Sequence, residues 1–354
     1  MAKIKDLIKN LMAVLIGIIV VALLIEGSAR IFASVLGVSP YMKYDEVVGW
    51  TAEPGVTKHH KNPSFGFDVS YSINRSGFRG PPHEIRKSPG IYRIMILGDS
   101  NGFGWGVSES NHFSAILASK LKNVQVINLS LSGYGTDQEY LRFTKEGIAY
   151  DPDLIIVQVT PNDFDEIQYP FYNQKPKPQF LVEKDGNLVL INVPVKSIGP
   201  KSKYFYDNSL PLPFKEWLGW NSYAFNILNE KYYMLKTKYA RDSSSATEGR
   251  ERFNPESITL FKKIISKLKV TLDEIGAKGL VVHSSKDISE KKLLEGSSLP
   301  IVDLHPIFSR SIQKTSVDPF FHDGYHWNVE GNRIVANELI DVIVKKYGVK
   351  PKTD

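Results

Sequence analysis

The chain has 354 residues, a formal net charge of +6, 42% hydrophobic and 23% charged residues, which is typical of a globular protein rather than a disordered one. It contains no cysteine, which excludes a disulfide framework and a thiolate zinc site. The positive charge is spread in small clusters such as Lys345 and Lys346, without the aromatic and basic pattern of a nucleic-acid surface. We therefore predict no nucleic-acid partner.

The N-terminal segment predicts a membrane helix. Residues 11–25 are an unbroken apolar run, and Lys3, Lys5 and Lys9 precede it. Basic residues favour the cytoplasmic side, so we expect the N-terminus in the cytoplasm and everything after residue 40 to be extracytoplasmic, either periplasmic or at the cell surface. The run alone is short for a span, but the helical pattern continues past Glu26 and Arg30, which are four apart and suited to pairing.

A cleaved signal peptide is the alternative interpretation of this segment. Gly27, Ser28 and Ala29 form a possible small-residue cleavage site. Glu26 and the apolar residues that follow the site favour an uncleaved anchor. The prediction is a single-pass helix that contacts the lipid bilayer through residues 8–32.

The rest of the chain divides by its sequence patterns. Residues 39–90 are rich in glycine, proline and aromatic residues, which predicts short strands and turns. Strand-like runs at 92–99, 124–130 and 153–160 alternate with helical patterns at 111–122 and 136–150. This alternation predicts an α/β fold with a parallel sheet.

An insertion at about 164–250 interrupts this alternation. It contains Asp185 and Gly186 between two apolar runs, which predicts a hairpin. An aromatic, proline-rich stretch, a helix over 222–236 and a polar loop at 241–252 follow. Helices over 255–277 and 328–348, a strand at 278–285, and a strand and turn at 299–308 complete the chain. The predicted organisation is an anchor at 1–38, an extension at 39–90 and an α/β domain at 91–350.

Three residue types in this chain suggest acyl-ester chemistry. Ser100 directly follows a strand-like run, where a turn exposes a side chain at the carboxyl edge of a sheet. A serine hydroxyl needs a base to remove its proton, and a histidine base needs a carboxylate to orient it. Asp323 and His326 have the spacing for such a pair. The structural alternatives are a helix-capping Ser100 and a helix-capping Asp323, and His322 is the other candidate base.

Four sequence blocks together resemble the SGNH (GDSL-type) hydrolase family: GDS at 98–100, the block around Gly133, the block around Asn162, and the Asp323–His326 pair. The segments GWTAEPG, INRSGFRG and GDSNGFGWGV are similar to membrane-anchored bacterial members. The resemblance implies a three-layer α/β/α sandwich with a flavodoxin-like parallel sheet. It also implies hydrolysis or transfer of O-acyl groups without a metal or organic cofactor.

The resemblance also implies an oxyanion hole. By motif position its donors are the backbone N–H groups of Ser100 and Gly133 and the side-chain amide of Asn162, with Gly135 as the alternative glycine. Thr160 stands where the family has a glycine. The predicted catalytic residues are Ser100 as nucleophile, His326 as base and Asp323 as its orienting carboxylate.

The preferred function is a serine esterase that removes O-acyl groups from an envelope or exported glycan, or from another small ester. An O-acyltransferase with the same residues is one alternative. The other is a non-catalytic subunit of a membrane complex, in which the anchor and the insertion contact partner proteins.

Overall fold

The computed structural model describes residues 2–35, 42–62, 65–172, 175–196, 255–283 and 294–353, with parts of 214–232. The juxtamembrane residues 36–38, about half of the predicted 222–236 helix, most of the proline-rich stretch before it and the 241–252 loop lie outside these residues. The chain forms two compact parts. One comprises Met1–Pro40 and Lys201–Thr247, and the other Tyr41–Pro200 and Glu248–Asp354.

The first part contains one long helix, α1 (Ala2–Val35), as predicted. Its segment Ile4–Ile31 has a mean hydropathy of 2.7 and no buried residues, so it is long and apolar enough to cross a membrane. A signal sequence would have the same length and composition. The predicted pair forms at the end of this segment, where Arg30 Nε lies 2.9 Å from a carboxylate oxygen of Glu26.

The second part begins with two antiparallel hairpins, in the segment where the sequence predicts short strands and turns. The first hairpin joins β1 (Met42–Asp45) to β2 (Gly49–Ala52). The second joins β3 (Thr57–Asn62) to β4 (Phe67–Ser72).

A five-stranded parallel sheet forms the centre of this part. Its strands are β5 (Tyr92–Leu97), β6 (Val124–Asn128), β7 (Leu154–Val159), β12 (Lys278–His283) and β13 (Ile301–Asp303). The spatial order is β13-β12-β7-β5-β6, which is the flavodoxin-like order, with its switch point between β5 and β7. Because β5 and β7 are neighbours, the loops that follow them meet at one edge of the sheet.

Helices cover both faces of the sheet and complete a three-layer α/β/α sandwich. On one face, α3 (Phe113–Lys120), α7 (His305–Thr315) and α8 (Val329–Tyr347) bury a continuous apolar cluster with the strands. On the other face are α4 (Thr136–Arg142) and α6 (Pro255–Glu274). Two short helices, α2 (Ser100–Phe103) and α5 (Asp163–Glu166), follow β5 and β7 directly.

The insertion contributes two small hairpins to this part. β8 (Phe171–Tyr172) pairs with β9 (Lys175–Pro176), and β10 (Gln179–Val182) pairs with β11 (Leu188–Ile191). The second is the hairpin predicted at Asp185 and Gly186.

One element differs from the prediction. The segment 299–308 was expected to be a strand and a turn, but a helix, α7, begins at His305. Proline in the first helical turn needs no N–H partner and has a suitable φ, so Pro306 starts the helix rather than a turn. The few apolar residues that follow fit strand and helix periods equally well.

Arg79, in the extension, holds the loop that follows the candidate nucleophile. Its guanidinium is buried and donates hydrogen bonds to the carbonyl oxygens of Phe103, Gly104 and Val107, the last two at 2.7 Å. It also pairs with Glu109 at 3.2 Å. The extension therefore fixes the backbone between α2 and α3.

We expect Arg79→Met to destabilise the fold by about 3 kcal/mol or more, because it leaves several buried carbonyl oxygens without donors. Urea unfolding measures the change. The matched control is Arg75→Met in the same extension, whose exposed pair with Glu84 should contribute less than about 1 kcal/mol. Equal losses in the two variants would contradict this role for Arg79.

Candidate active site

Ser100 occupies the first position of α2, immediately after β5. The side chain of the preceding residue, Asp99, caps the helix by accepting a hydrogen bond of 2.8 Å from the Asn101 N–H. Ser100 is therefore not the cap, and the structural alternative for this residue is wrong. The Ser100 hydroxyl takes no part in capping and lies at the carboxyl end of the sheet, where open α/β sheets bind ligands.

Ser100, His326 and Asp323 form a continuous hydrogen-bonded chain. His326 Nε2 lies 2.9 Å from Ser100 Oγ, and His326 Nδ1 lies 2.6 Å from Asp323 Oδ2. The three-residue spacing in the sequence thus places carboxylate and imidazole together. His326, rather than His322, lies beside Ser100, while the exposed His322 stacks on Phe65 with ring centroids 4.3 Å apart.

The Asp323 carboxylate is held by its own loop. Its Oδ1 accepts hydrogen bonds from the N–H groups of Tyr325, at 2.9 Å, and His326, at 3.0 Å. Burial raises the pKa of this carboxyl, but the hydrogen bonds from the His326 ring and these N–H groups outweigh it and lower the pKa below its usual value. Asp323 is therefore ionised at neutral pH and able to stabilise a protonated imidazole. The cap of α8 is Asn328, not Asp323.

Asn101 joins the nucleophile turn to the histidine loop. Its Oδ1 accepts a hydrogen bond of 2.8 Å from the Trp327 N–H, and its Nδ2 donates to the Tyr325 carbonyl at 3.3 Å. These residues flank His326 on both sides. The sequence does not reveal this role, because an asparagine after a GDS tripeptide does not show which distant loop it contacts.

Gly133 lies in the loop that follows β6. This loop is tied to the nucleophile turn by a hydrogen bond of 3.1 Å from the Leu131 N–H to the Gly98 carbonyl. Gly133 has φ of +82°, and a Cβ atom there would lie 2.4 Å from the ring of Tyr172. Only glycine fits both the backbone conformation and the ring, so the position is specified by its surroundings.

Asn162 lies in the loop after β7, and both the nitrogen and the oxygen of its side-chain amide form hydrogen bonds. Its Nδ2 donates to Glu166 at 2.6 Å. Its Oδ1 is bonded by the hydroxyl of Tyr325 and lies 2.6 Å from the hydroxyl of Thr160. An amide has two N–H groups, and the described residues engage one of them. The side chain is thus held in one orientation.

Thr160 makes contacts that the family's glycine could not make. Its hydroxyl lies 2.5 Å from Asp99 Oδ2, 3.0 Å from the Tyr325 hydroxyl and 2.6 Å from Asn162 Oδ1. The substitution therefore adds a hydrogen-bonding centre that connects the nucleophile, asparagine and histidine loops.

The described residues contain no group of three or more His, Asp or Glu side chains that could hold a metal ion. The hydrogen-bonded arrangement of Ser100, His326 and Asp323 can remove a proton from a hydroxyl nucleophile through a neighbouring imidazole.

Comparison with known proteins identifies the family to which this chain is similar. The sequence model of the GDSL-like lipase/acylhydrolase family matches residues 94–339. A comparison with curated protein sequences finds no match.

Solved structures are similar at low identity. One is a lipase/acylhydrolase from Enterococcus faecalis, with 15% identity and a TM-score of 0.38 over 75% of this chain and 100% of that chain. Another is an acetylxylan esterase from Geobacillus stearothermophilus, with 10% identity and a TM-score of 0.38 over 75% of this chain and 98% of that chain.

A cluster of buried acidic groups lies behind the site. Desolvation raises the pKa of Glu139, Asp163 and Glu166 well above their usual values, and each carboxyl also faces neighbouring acids. Glu139 in α4 is 2% exposed, and neither of its carboxyl oxygens has a hydrogen-bond partner among the described residues. Such a group is stable in the fold only when it is protonated.

We expect Glu139→Gln to stabilise the protein relative to the wild type as pH rises. A carboxyl with a raised pKa contributes its stability below its unfolded value, here about 4.5, and loses it on deprotonation at higher pH. The glutamine cannot ionise, so the difference should be small at pH 4 and grow by pH 8. Urea unfolding at both pH values measures it, with the exposed Glu274→Gln as control. A difference independent of pH would contradict a neutral Glu139.

Proposed function

The chain belongs to the GDSL-like lipase/acylhydrolase family and is a serine esterase, and we propose that Ser100 is its nucleophile. The observation that carries this assignment is the continuous hydrogen-bonded chain from Ser100 through His326 to Asp323. Each member has the partner that its role requires: the hydroxyl faces a base, and the base faces an ionised carboxylate.

In the proposed reaction, His326 Nε2 takes the proton as Ser100 Oγ attacks the ester carbonyl carbon. The tetrahedral intermediate carries its negative charge on the former carbonyl oxygen. As the C–O bond to the alcohol breaks, His326 returns the proton to the leaving oxygen and an acyl-serine remains. Water activated by His326 then releases the carboxylic acid and restores Ser100.

We propose that the oxyanion is held by the N–H groups of Ser100 and Gly133 and by the second N–H of the Asn162 amide. The fixed orientation of Asn162 supports this role, because a donor that is held in one orientation needs little reorganisation during the reaction. The tight fit of Gly133 against Tyr172 supports a fixed backbone at the second donor.

We also propose that α1 is retained as an anchor and that the esterase acts outside the cytoplasm. The carboxylate of Glu26 accepts hydrogen bonds from the hydroxyl of Ser222, at 2.8 Å, and from the N–H groups of Tyr223, at 3.0 Å, and Ala224, at 3.2 Å. These contacts lie within one compact part of the chain. Cleavage after residue 29 would remove Glu26 and leave these groups without their acceptor.

The proposed substrate class is an O-acylated glycan of the envelope or of an exported polymer. The extracytoplasmic location proposed for the domain supports this choice, since such esters are found there. An acyltransferase would pass the acyl group from Ser100 to a sugar hydroxyl instead of water. Release of free acid from an aryl acetate in the absence of any acceptor glycan favours hydrolysis, and release only with acceptor present favours transfer.

We expect a fluorophosphonate probe to label the wild type at Ser100, because a serine activated by a base attacks phosphorus. Labelling should vanish in Ser100→Ala, and His326→Ala should lose on the order of 10⁴-fold in labelling rate. The matched control is His322→Ala, which should label like the wild type. Loss of labelling in His322→Ala with retention in His326→Ala would reassign the base. An unlabelled wild type would favour the non-catalytic subunit.

We expect the full chain to remain in the membrane fraction in high salt and to be released by detergent, because hydrophobic burial of α1 is not screened by ions. Intact mass spectrometry of the extracted protein should show a chain that retains Glu26. An N-terminus near residue 30 would contradict the anchor and support the signal peptide.

A further inference from the structure

An open cavity of about 540 Å³ lies beside the candidate active site. The β3–β4 hairpin contributes Phe67 and Asp68 to its lining, the loop before α3 contributes Ser108 and Asn111, and the histidine loop and α8 contribute Phe321 and Glu330. Its volume is within the range of sites that hold small organic ligands, about 300–1,000 Å³.

Aromatic contacts connect this cavity to His326. The ring of Phe321, which lines the cavity, lies 5.8 Å from the ring of Trp105 between centroids. The Trp105 ring in turn stacks on the His326 imidazole, with centroids 4.3 Å apart and an angle of 32° between the planes. Phe321 and Trp105 are both half-buried, so part of each ring reaches solvent. Two ring contacts, through Phe321 and Trp105, therefore connect the cavity to the imidazole of His326.

The lining combines an aromatic side with fixed carboxylates. Asp68 is paired with His59 and Lys61, and Glu330 is paired with Arg333. Hydrogen bonds from these partners lower the pKa of both carboxyls, so both are ionised at neutral pH. Asn111 and Ser108 add amide and hydroxyl groups.

This combination matches the surface of a sugar ring. A pyranose presents apolar C–H groups on its faces, which pack on the negative face of an aromatic ring. Its hydroxyls point outward and donate strongly to ionised carboxylates. Each carboxylate keeps lone pairs beside its cationic partner, which sugar hydroxyls can use and an acyl chain cannot, and a uronic acid would bring a third carboxylate into the same cavity. The chemistry favours a neutral sugar.

Part of this cavity lies outside the segment that the family model matches. Phe67 and Asp68 come from the β3–β4 hairpin, whereas the match begins at residue 94. The hairpin is thus an addition to the common fold that reaches the side of the active site.

We propose that this cavity is a binding subsite for a neutral sugar unit of the acylated glycan, next to the unit whose ester is cleaved. The proposal rests on the proposed function, since it assumes that His326 and Ser100 mark the reaction centre. The sugar ring packs on Phe321, and its hydroxyls donate to Asp68 and Glu330.

The test measures binding separately from catalysis. The full-length Ser100→Ala protein in detergent is titrated with N-acetylchitotetraose and xylotetraose, and calorimetry reports the dissociation constants. At least one of these neutral oligosaccharides should bind, and tetragalacturonate should bind at least about tenfold more weakly. In Asp68→Asn combined with Glu330→Gln, the dissociation constant should rise about tenfold or more, because hydrogen bonds to charged acceptors are replaced by weaker ones.

The matched control is Asp341→Asn, which removes an exposed carboxylate from the same helix as Glu330. It should leave binding unchanged. Both carboxylate variants keep the side-chain shape, and an unchanged thermal midpoint excludes unfolding as the cause of lost affinity.

The outcomes separate this subsite from the proposed function. A wild type that hydrolyses an aryl acetate but binds neither oligosaccharide would overturn the subsite and leave the esterase intact. Equal affinity of the Asp68 and Glu330 double variant would also overturn it. Octanoate that binds the wild type and the double variant with equal affinity, where neither oligosaccharide binds, would make the cavity an acyl-chain site instead. If the protein binds sugar but the fluorophosphonate probe does not label Ser100, the proposed function is overturned and the subsite is not.

Discussion

The hydroxyl of Thr160 is the hydrogen-bonding centre of the site, because it connects three loops. It contacts Asp99 from the nucleophile turn, Asn162 from the loop after β7 and Tyr325 from the histidine loop. β5 and β7 are neighbours in the parallel sheet, so their carboxyl ends are already close. The histidine loop comes from much later in the chain, and the Tyr325 and Asn101 bonds fix its position relative to Ser100.

The electrostatic environment differs between the two sides of the site. Asp323 is ionised because its oxygens accept several hydrogen bonds, and in the proposed mechanism this charge stabilises the imidazolium that forms during proton transfer. Behind the site, Glu139, Asp163 and Glu166 are desolvated and crowd one another, which keeps them neutral. Desolvation thus disfavours the ionised form of the carboxyls behind the site, whereas hydrogen bonds favour the ionised form of Asp323.

The N-terminal extension contributes to the site in two ways, although it precedes the segment shared with the family. Arg79 fixes the carbonyl groups of the loop after Ser100, and the β3–β4 hairpin forms one wall of the neighbouring cavity. A loop that other elements contact on both sides holds its side chains in more precise positions than a loop exposed at the surface. The extension thus couples the position of the nucleophile to the proposed sugar subsite.

The sequence alone determined features that depend on neighbouring residues: the apolar helix α1, the parallel alternation of strands and helices, the hairpin at Asp185 and Gly186, and the spacing that lets Asp323 reach His326. The tertiary structure places His326, rather than His322, beside Ser100. It also shows that Asp99, and not Ser100, caps α2. It also assigned hydrogen-bond partners to Thr160 and Asn101 and placed Glu139 in a buried cluster of acidic groups. A local sequence pattern determines secondary structure and hydrogen bonds between residues close in the chain. Contacts between distant residues depend instead on the order of the strands in the sheet.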